Sequence, residues 1–145
     1  MQKHDIYTFI NNNPVFFLAT VDNGFPRVRG MLLFSADENG ILFHTGAMRD
    51  VYRQIRENPS AELCFADVQN NIQVRVSGTL EIVDDDAMKD RIAQHPSRTF
   101  VKEWRDSVVR QDFYNSFIVM RMRGGKAKSW SYENNFDPSI EMPLD

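Results

Sequence analysis

The sequence predicts an α+β fold that is mainly β: a closed or nearly closed antiparallel barrel of six strands with flanking helices. Three observations support this. Short apolar or alternating segments recur along the chain, Asn-Gly turn signals separate the first of them, and helical spacing is confined to a few short stretches. Antiparallel strands in this number favour closure, because a closed barrel has no exposed strand edges.

Length and composition limit the class of protein. A chain of 145 residues, 42% hydrophobic and 26% charged, is expected to form a single domain over 1–145. A net charge of -3 gives no overall attraction to nucleic acid or to an anionic membrane. No apolar run reaches the roughly 20 residues of a membrane helix, and the N-terminus lacks a signal-peptide apolar segment. Cys64 is the single cysteine, so we expect no disulfide, no metal site and a cytoplasmic location.

The first half of the chain is predicted to form a helix and then a β-meander. Apolar residues at helical spacing predict a helix over 3–12, which Pro14 ends. Strands are predicted next, separated by turns at 22–24 and 37–40. These strands cover 15–21, 27–35 and 41–45.

The second half mixes helices and longer strands. Helical spacing predicts helices over 48–57, over about ten residues from Asp84, and over 98–106. Strands are predicted over 61–66, 72–83 and 116–123, and the last of them ends in a Gly124-Gly125 kink. The polar tail from about 134 is expected to be a loop.

Two arginines lie on one side of the second predicted strand. Arg27 and Arg29 are two residues apart, so both side chains point to the same face. Two guanidinium groups repel each other unless water or an anion separates them. The pair is either a solvated strand face with acidic neighbours or a clamp for phosphate or carboxylate, whose geometry the guanidinium fork matches.

A second candidate anion site lies where the third strand passes into a helix, at 44–50. Free N–H groups at a helix start attract anions, Thr45 adds a hydroxyl donor, and Arg49 and Arg53 lie one turn apart on the same side. The alternative is a threonine cap with surface arginines. His44 is either an acid or base near a substrate or a histidine facing the barrel or an interface.

The alternating strand at 72–83 holds a third candidate, Gln73. Its amide both donates and accepts hydrogen bonds, which suits the edge of a planar heterocycle. The side chain is equally well explained by exposure to solvent.

In this order and spacing, the three stretches resemble the pyridoxamine 5′-phosphate oxidase-like family of FMN-binding split β-barrels. The resemblance covers about 15–78. It depends on Leu18-Ala19-Thr20 with Pro26-Arg27-Val28-Arg29, on the segment from Leu42-Phe43-His44-Thr45 to Asn58-Pro59, and on Gln73-Val74-Arg75-Val76-Ser77-Gly78.

The resemblance implies a homodimer with FMN at the subunit interface, each site taking ligands from both chains. Arg29 corresponds to an arginine that reaches the FMN phosphate, and the backbone of the next residues lines the isoalloxazine. Gln73 matches a glutamine that contacts the flavin, and Trp130 is expected after the last strand, near the partner's flavin. The remaining implied or inferred cofactor ligands are Gly30, Met31, Leu32, His44, Thr45, Arg27, Arg49 and Arg53.

Departures from the oxidase pattern affect the expected activity. Phe34 and Val51 occupy positions where the oxidase has basic residues, and Arg27, Arg49 and Arg53 are inferred to replace that charge. The C-terminal arginine and histidine pattern that holds pyridoxal phosphate is absent from the sequence. We therefore expect a flavin-dependent oxidoreductase acting on a small organic molecule, and not a true pyridoxamine phosphate oxidase. The alternatives are a flavin-sequestering module without turnover and a site for another anionic heterocycle.

Overall fold

The computed structural model describes residues 1–110 and 112–145. Within them, the strands are β1 Val15–Asp22, β2 Phe25–Asp37, β3 Gly40–Gly46, β4 Ser60–Asp67, β5 Ile72–Val83, β6 Phe117–Met122, β7 Lys126–Ser131 and β8 Glu141–Pro143. The α-helices are α1 Lys3–Asn12, α2 Asp50–Glu57, α3 Asp86–Gln94, α4 Thr99–Asp106 and α5 Phe113–Ser116, and a 3-10 turn covers Pro96–Arg98.

Six of the strands form a closed antiparallel barrel. The order is β4-β1-β2-β3-β6-β5, and β5 pairs again with β4 to close the ring. One edge of β5 serves two neighbours, because residues 72–77 pair with β7 and residues 80–83 pair with β6. β8 pairs with β7 outside the ring. The predicted barrel with flanking helices is confirmed.

The corner between β6 and β7 depends on two glycines, at the predicted kink. Gly124 has a φ of +65°, which disfavours residues with a Cβ. A Cβ at Gly125 would lie only 2.8 Å from Cγ1 of Val76. A larger residue at Gly125 would therefore push this corner away from β5.

Apolar side chains fill the inside of the barrel. Phe16 stacks on Phe65 with ring centroids 4.8 Å apart, and meets Phe43 edge-on at 5.1 Å. Ile6 and Ile10 of α1 belong to the same buried cluster. The interior is a packed core, so the cavities described below lie outside it.

A smaller apolar cluster joins the helical layer to the barrel. It contains Ile92 and Ala93 of α3, Val101 of α4, Phe113 of α5 and Phe117 of β6. This packing holds α3, α4 and α5 against the outer side of β6.

The structure corrects several sequence-based boundaries. α2 begins at Asp50 and not at 48, and its N-cap, Arg49, has an extended backbone. β7, β8 and α5 were not predicted, and the prediction of a loop from 134 is wrong for Glu141–Pro143, which pairs with β7. None of the helices in the described part of the chain is both long and apolar enough to cross a bilayer.

Candidate functional site

A cavity of about 670 Å³ opens where β2, the end of β3 and the start of α2 meet. We name it the arginine pocket, because Arg27, Arg29 and Arg49 line it together with Thr45 and Gln54. The structure therefore brings together three of the four predicted arginines. Two segments that are separate in sequence, β2 and the start of α2, thus line one pocket. Both were selected from the sequence as candidate anion sites because of their arginines.

Arg29 is held from three sides in this pocket. Its Nη1 donates to the carbonyl of Leu18 at 3.2 Å and to Oγ1 of Thr20 at 2.8 Å, and its Nη2 donates to Oε1 of Gln54. These bonds use three of the five N–H groups of a guanidinium. The pKa of Arg29 is lowered by burial, and the charge of Asp50 offsets part of this effect. Arg29 is thus a fixed cation with donors to spare.

Arg49 supplies a second charge at the start of α2. No described residue forms a hydrogen bond or ion pair with its side chain. No described side chain caps this helix either, so the N–H groups of its first two residues, Asp50 and Val51, are open beside Arg49. A fixed guanidinium, an unpaired one, a helix start and the Thr45 hydroxyl form a donor set that suits a phosphate group.

The other two arginines are already paired with carboxylates. Nε of Arg27 lies 3.5 Å from Oδ2 of Asp22, and Nη1 of Arg53 lies 3.1 Å from Oδ1 of the same residue. Arg53 also reaches Glu57 at 3.2 Å and does not line the cavity. Hydrogen bonding by Arg53 is the main cause that lowers the pKa of Asp22. Arg27 therefore lines the arginine pocket as part of an ion pair, whereas Arg53 lies outside the pocket.

A second cavity, also of about 670 Å³, adjoins the first. The two share Gly30, Met31, Thr45 and Arg49. We name the second cavity the aromatic pocket; its further lining comprises Leu32, His44, Gly46, Met48, Phe100, Trp104, Arg110, Ser116 and Phe117. The helical layer, through α4, thus forms one wall of a space that begins at the arginine pocket.

His44 of β3 is fixed in this wall by Arg98. Nε of Arg98 donates to Nε2 of His44 at 2.9 Å, and Nη2 of Arg98 donates to the Leu33 carbonyl at 2.7 Å. Arg98 is only 4% exposed, and its guanidinium lies 5.3 Å from the Phe34 ring centroid. Because Nε2 accepts a hydrogen bond, the proton of the neutral imidazole is on Nδ1.

This environment keeps His44 neutral. Burial is the main cause, and the Arg98 charge the second, that lowers the pKa of His44 from 6.5 to about 4. At pH 7 the ring is therefore not an imidazolium that could act as a general acid, and its Nε2, the basic nitrogen, is engaged by Arg98. The structure favours a positioning role for His44 over the acid or base role.

Gln73 and Trp130 lie apart from the arginines within one chain. They are directly opposite each other on β5 and β7, and they line a third cavity of about 880 Å³ with the segment 134–143. The Trp130 indole N–H donates to Oδ1 of Asn135 at 2.8 Å. Trp130 is on a strand, and not after the last strand as predicted. In the closed ring β2 and β5 are three strands apart in either direction, so the two sets lie on opposite sides of the barrel.

An exposed apolar surface lies between these two sets. Val15 and Phe17 of β1 face outward with Val28 and Leu32 of β2, and they are 65%, 55%, 68% and 39% exposed. Cys64 of β4 is opposite Phe17. We name this surface the outer apolar face. Apolar side chains this exposed on adjacent strands mark an interaction surface.

Some residues of both pockets were not predicted from the sequence. Gln54 lies on the same side of α2 as Val51 and Ile55, so its helical spacing already indicated burial. Arg98 gave no such signal, because its partner His44 is 54 residues away. Sδ of Met48 occupies the space where a Cβ of Gly46 would lie, so only glycine fits beside this side chain. Among the described residues, no group of three or more acidic, histidine or cysteine side chains could hold a metal ion.

Comparison with known proteins places the chain in a family. Residues 3–123 match the family model described as Pyridoxamine 5′-phosphate oxidase. The pyridoxine/pyridoxamine 5′-phosphate oxidase of Agrobacterium fabrum is 34% identical over 96 residues, which cover 66% of this chain and 47% of that protein. The chain thus spans about half the length of this relative.

Solved structures show the same fold. A NimC/NimA family protein of Clostridium acetobutylicum has a TM-score of 0.73 at 18% identity, over 97% of this chain and 93% of the other. A pyridoxamine 5′-phosphate oxidase-related, FMN binding protein of Nostoc punctiforme has a TM-score of 0.67 at 18% identity, over 98% and 95%. The resemblance inferred from the blocks between 15 and 78 is confirmed, and the chain belongs to the pyridoxamine 5′-phosphate oxidase family.

Proposed function

We propose that the protein binds FMN between two copies of the chain and uses it as an oxidoreductase on a small organic molecule. The observation that carries this proposal is the arginine pocket. There Arg29 is fixed by three hydrogen bonds, and Arg49, beside an open helix start, has no counter-ion among the residues that the structure describes. In this proposal the FMN phosphate is the anion that these donors bind. FMN, when bound, supplies the hydride and electron chemistry, and the protein supplies binding and orientation.

A second copy of the chain would complete the proposed site. The outer apolar face lies between the arginine pocket and the pair Gln73 and Trp130. If two copies pack through this face around a two-fold axis, the Gln73 and Trp130 of one chain approach the arginine pocket of the other. This arrangement explains why one chain keeps the two sets apart.

Preference for the phosphate tests the cofactor. We expect purified protein to take up FMN with a change in flavin absorbance, and to bind riboflavin much more weakly. The physical reason is that riboflavin lacks the group that the arginine pocket holds. Titration of both flavins by absorbance and calorimetry measures the difference. Equal dissociation constants for the two would show that no phosphate clamp exists.

The Arg29→Ala variant tests the pocket itself. Removing a charged hydrogen bond costs about 1.5–3 kcal/mol, or roughly 10- to 150-fold in the FMN dissociation constant. Arg56→Ala is the matched control, because Arg56 lies on α2 over the Tyr52 ring and lines none of the three cavities. Arg56→Ala should bind FMN like the unaltered protein. Similar losses in both variants would point to a general effect of charge and would remove Arg29 from the site.

We expect no pyridoxamine 5′-phosphate oxidase activity. A phosphorylated substrate needs a cationic clamp of its own beside that of the cofactor, and several further basic groups are already engaged. Arg121 and Arg123 pair with Glu81 at 2.7 and 2.9 Å, and Arg98 is buried against His44. The assay supplies pyridoxamine 5′-phosphate and oxygen to FMN-loaded protein and follows pyridoxal phosphate. Turnover of about 1 per second or more would contradict the prediction.

A flavin-sequestering protein would share the binding results above. Anaerobic reduction of the bound flavin separates the two functions. In an oxidoreductase, at least one member of a panel of organic acceptors should reoxidise the bound flavin faster than it reoxidises free reduced flavin. A reduced flavin that no acceptor reoxidises faster than it reoxidises free in solution would support sequestration.

A further inference from the structure

Two buried polar side chains lie behind Arg29 at the arginine pocket. Thr20 of β1 is 2% exposed and Gln54 of α2 is 3% exposed, and they are two of the four polar or charged residues that are buried in the described part of the chain. Burying a polar side chain costs free energy unless its polar groups find partners. The contacts of these two residues therefore show what their burial achieves.

Thr20, Gln54 and Arg29 form a closed ring of hydrogen bonds. Oγ1 of Thr20 donates to Oε1 of Gln54 at 2.6 Å and accepts from Nη1 of Arg29 at 2.8 Å, while Nη2 of Arg29 donates to the same Oε1. Because the two oxygens are so close together, they bind the two Nη atoms side by side, along the outer end of the guanidinium. The ring thus fixes how the guanidinium is rotated.

This ring leaves one edge of the Arg29 guanidinium free. Nη1 uses its second N–H on the Leu18 carbonyl, so the unused donors are Nε–H and the second N–H of Nη2. These two N–H groups are adjacent and parallel, which is the fork that binds two oxygens of one phosphate. Nε has no described partner, and no buried side-chain nitrogen of the described residues lacks one, so Nε is accessible from the cavity that Arg29 lines.

Gln54 has a free donor of its own. Its Oε1 must face Arg29, because a guanidinium can only donate, and this leaves Nε2 on the other side of the amide. Nε2 has no partner among the described residues, so by the same reasoning it is not a buried atom. The rest of Gln54 is buried, and of the three cavities it lines only the arginine pocket. The amide N–H groups are therefore directed into that pocket.

We propose that Gln54 has two roles at the phosphate end of the flavin site: it positions Arg29 through Oε1, and it donates to a phosphate oxygen through Nε2. Thr20 is a positioning residue that acts only through Arg29. The inference rests on the proposed function, because it takes the FMN phosphate as the anion in the arginine pocket. It adds two residues to the site and requires that Arg29 is already oriented in the free protein.

Variants of similar shape in two backgrounds separate these roles. Thr20→Val should raise the FMN dissociation constant about three- to tenfold, and Gln54→Met about 10- to 150-fold, because the latter also removes the donor to the phosphate. In the Arg29→Ala background, Thr20→Val should cause no further loss, whereas Gln54→Met should still weaken FMN binding about tenfold. Affinity for riboflavin, which lacks the phosphate, should be the same in all of these proteins. Calorimetry measures both flavins.

Three results of this cycle overturn the proposal. A further loss from Thr20→Val in the Arg29→Ala background would mean that Thr20 supports the fold and not the orientation of Arg29. A silent Gln54→Met in that background would mean that Nε2 does not bind the phosphate. Losses of the same size for riboflavin would make both residues merely structural.

NMR of the unaltered protein decides the matter if a variant does not fold. Without flavin, the Nη–H groups of Arg29 should give separate signals, since a free guanidinium rotates and averages them. FMN and inorganic phosphate should shift the Nε–H signal of Arg29 and the Nε2 amide signals of Gln54, and riboflavin should shift them much less. Averaged Arg29 signals, or Gln54 signals that FMN binding leaves unchanged, would contradict these roles and leave the cofactor in place. Shifts with phosphate but no uptake of FMN would support the roles and refute the cofactor alone.

Discussion

Replacing Phe17 by aspartate is expected to convert a dimer into a monomer. Phe17 is 55% exposed at the middle of the outer apolar face, and a two-fold axis would bury it twice in one interface. An unpaired carboxylate buried at such a place costs about 3–5 kcal/mol, so the dimer dissociation constant should rise at least a hundredfold. Light scattering at micromolar concentration measures the mass against the 16.9 kDa of one chain.

A matched variant separates this effect from general solubility. Val68 is also apolar and 82% exposed, but it lies in the turn between β4 and β5 and not on the outer apolar face. Val68→Asp should remain a dimer. Phe16, Phe117 and Met120 are buried within the chain and so do not serve as probes. Unaltered protein with the mass of one chain would refute the dimer.

Acid should destabilise the protein through His44. Its pKa is about 4 in the folded state and near 6.5 in the unfolded state. Between these values the unfolded chain binds a proton that the folded chain does not, so stability falls as the pH falls from about 6.5 to about 4. The difference corresponds to about 3 kcal/mol in the free energy of unfolding. Urea titrations at intervals of pH measure it.

His44→Gln isolates this contribution. Glutamine can still accept from Nε of Arg98 but does not titrate, so the variant should lose about 3 kcal/mol less than the unaltered protein between pH 7 and pH 4. The comparison of slopes matters more than the absolute stability, because the substitution also changes packing beside Phe117. Parallel pH profiles for the two proteins would mean that His44 is not held neutral by the fold.

The barrel could be predicted because its strands carry local signals. β1 to β5 have apolar periodicity, and Asn-Gly turns, which act over a few residues, join β1 to β2 and β2 to β3. β7 lacks this signal: Lys126, Lys128 and Trp130 alternate with small residues, and only Ala127 is fully buried. β8 has three residues and forms only because β7 offers an edge. Such elements depend on tertiary contacts and not on their own sequence.

In the candidate site, too, some residues could be predicted from local sequence and others depend on tertiary contacts. Arg29, Thr45 and Arg49 could be predicted to converge, because a strand and a helix start have known directions. Which arginines are already paired could not, since Asp22 meets Arg53 across 31 residues. The helical wall of the aromatic pocket was not predicted, although Gly30, Met31, Leu32, His44, Thr45 and Arg49 were expected beside the cofactor. This wall depends on how α4 packs on β6, and a helical pattern alone does not specify its neighbour.

Arg98 also makes the aromatic pocket rigid. Moving α4 outward as a lid would pull the guanidinium from both His44 and the Leu33 carbonyl and leave buried polar groups without partners. The wall that holds Phe100 and Trp104 is therefore pre-formed, and a ligand pays little conformational entropy to enter it. Selection then occurs by size and shape at a fixed opening, so bulky analogues should be excluded rather than accommodated.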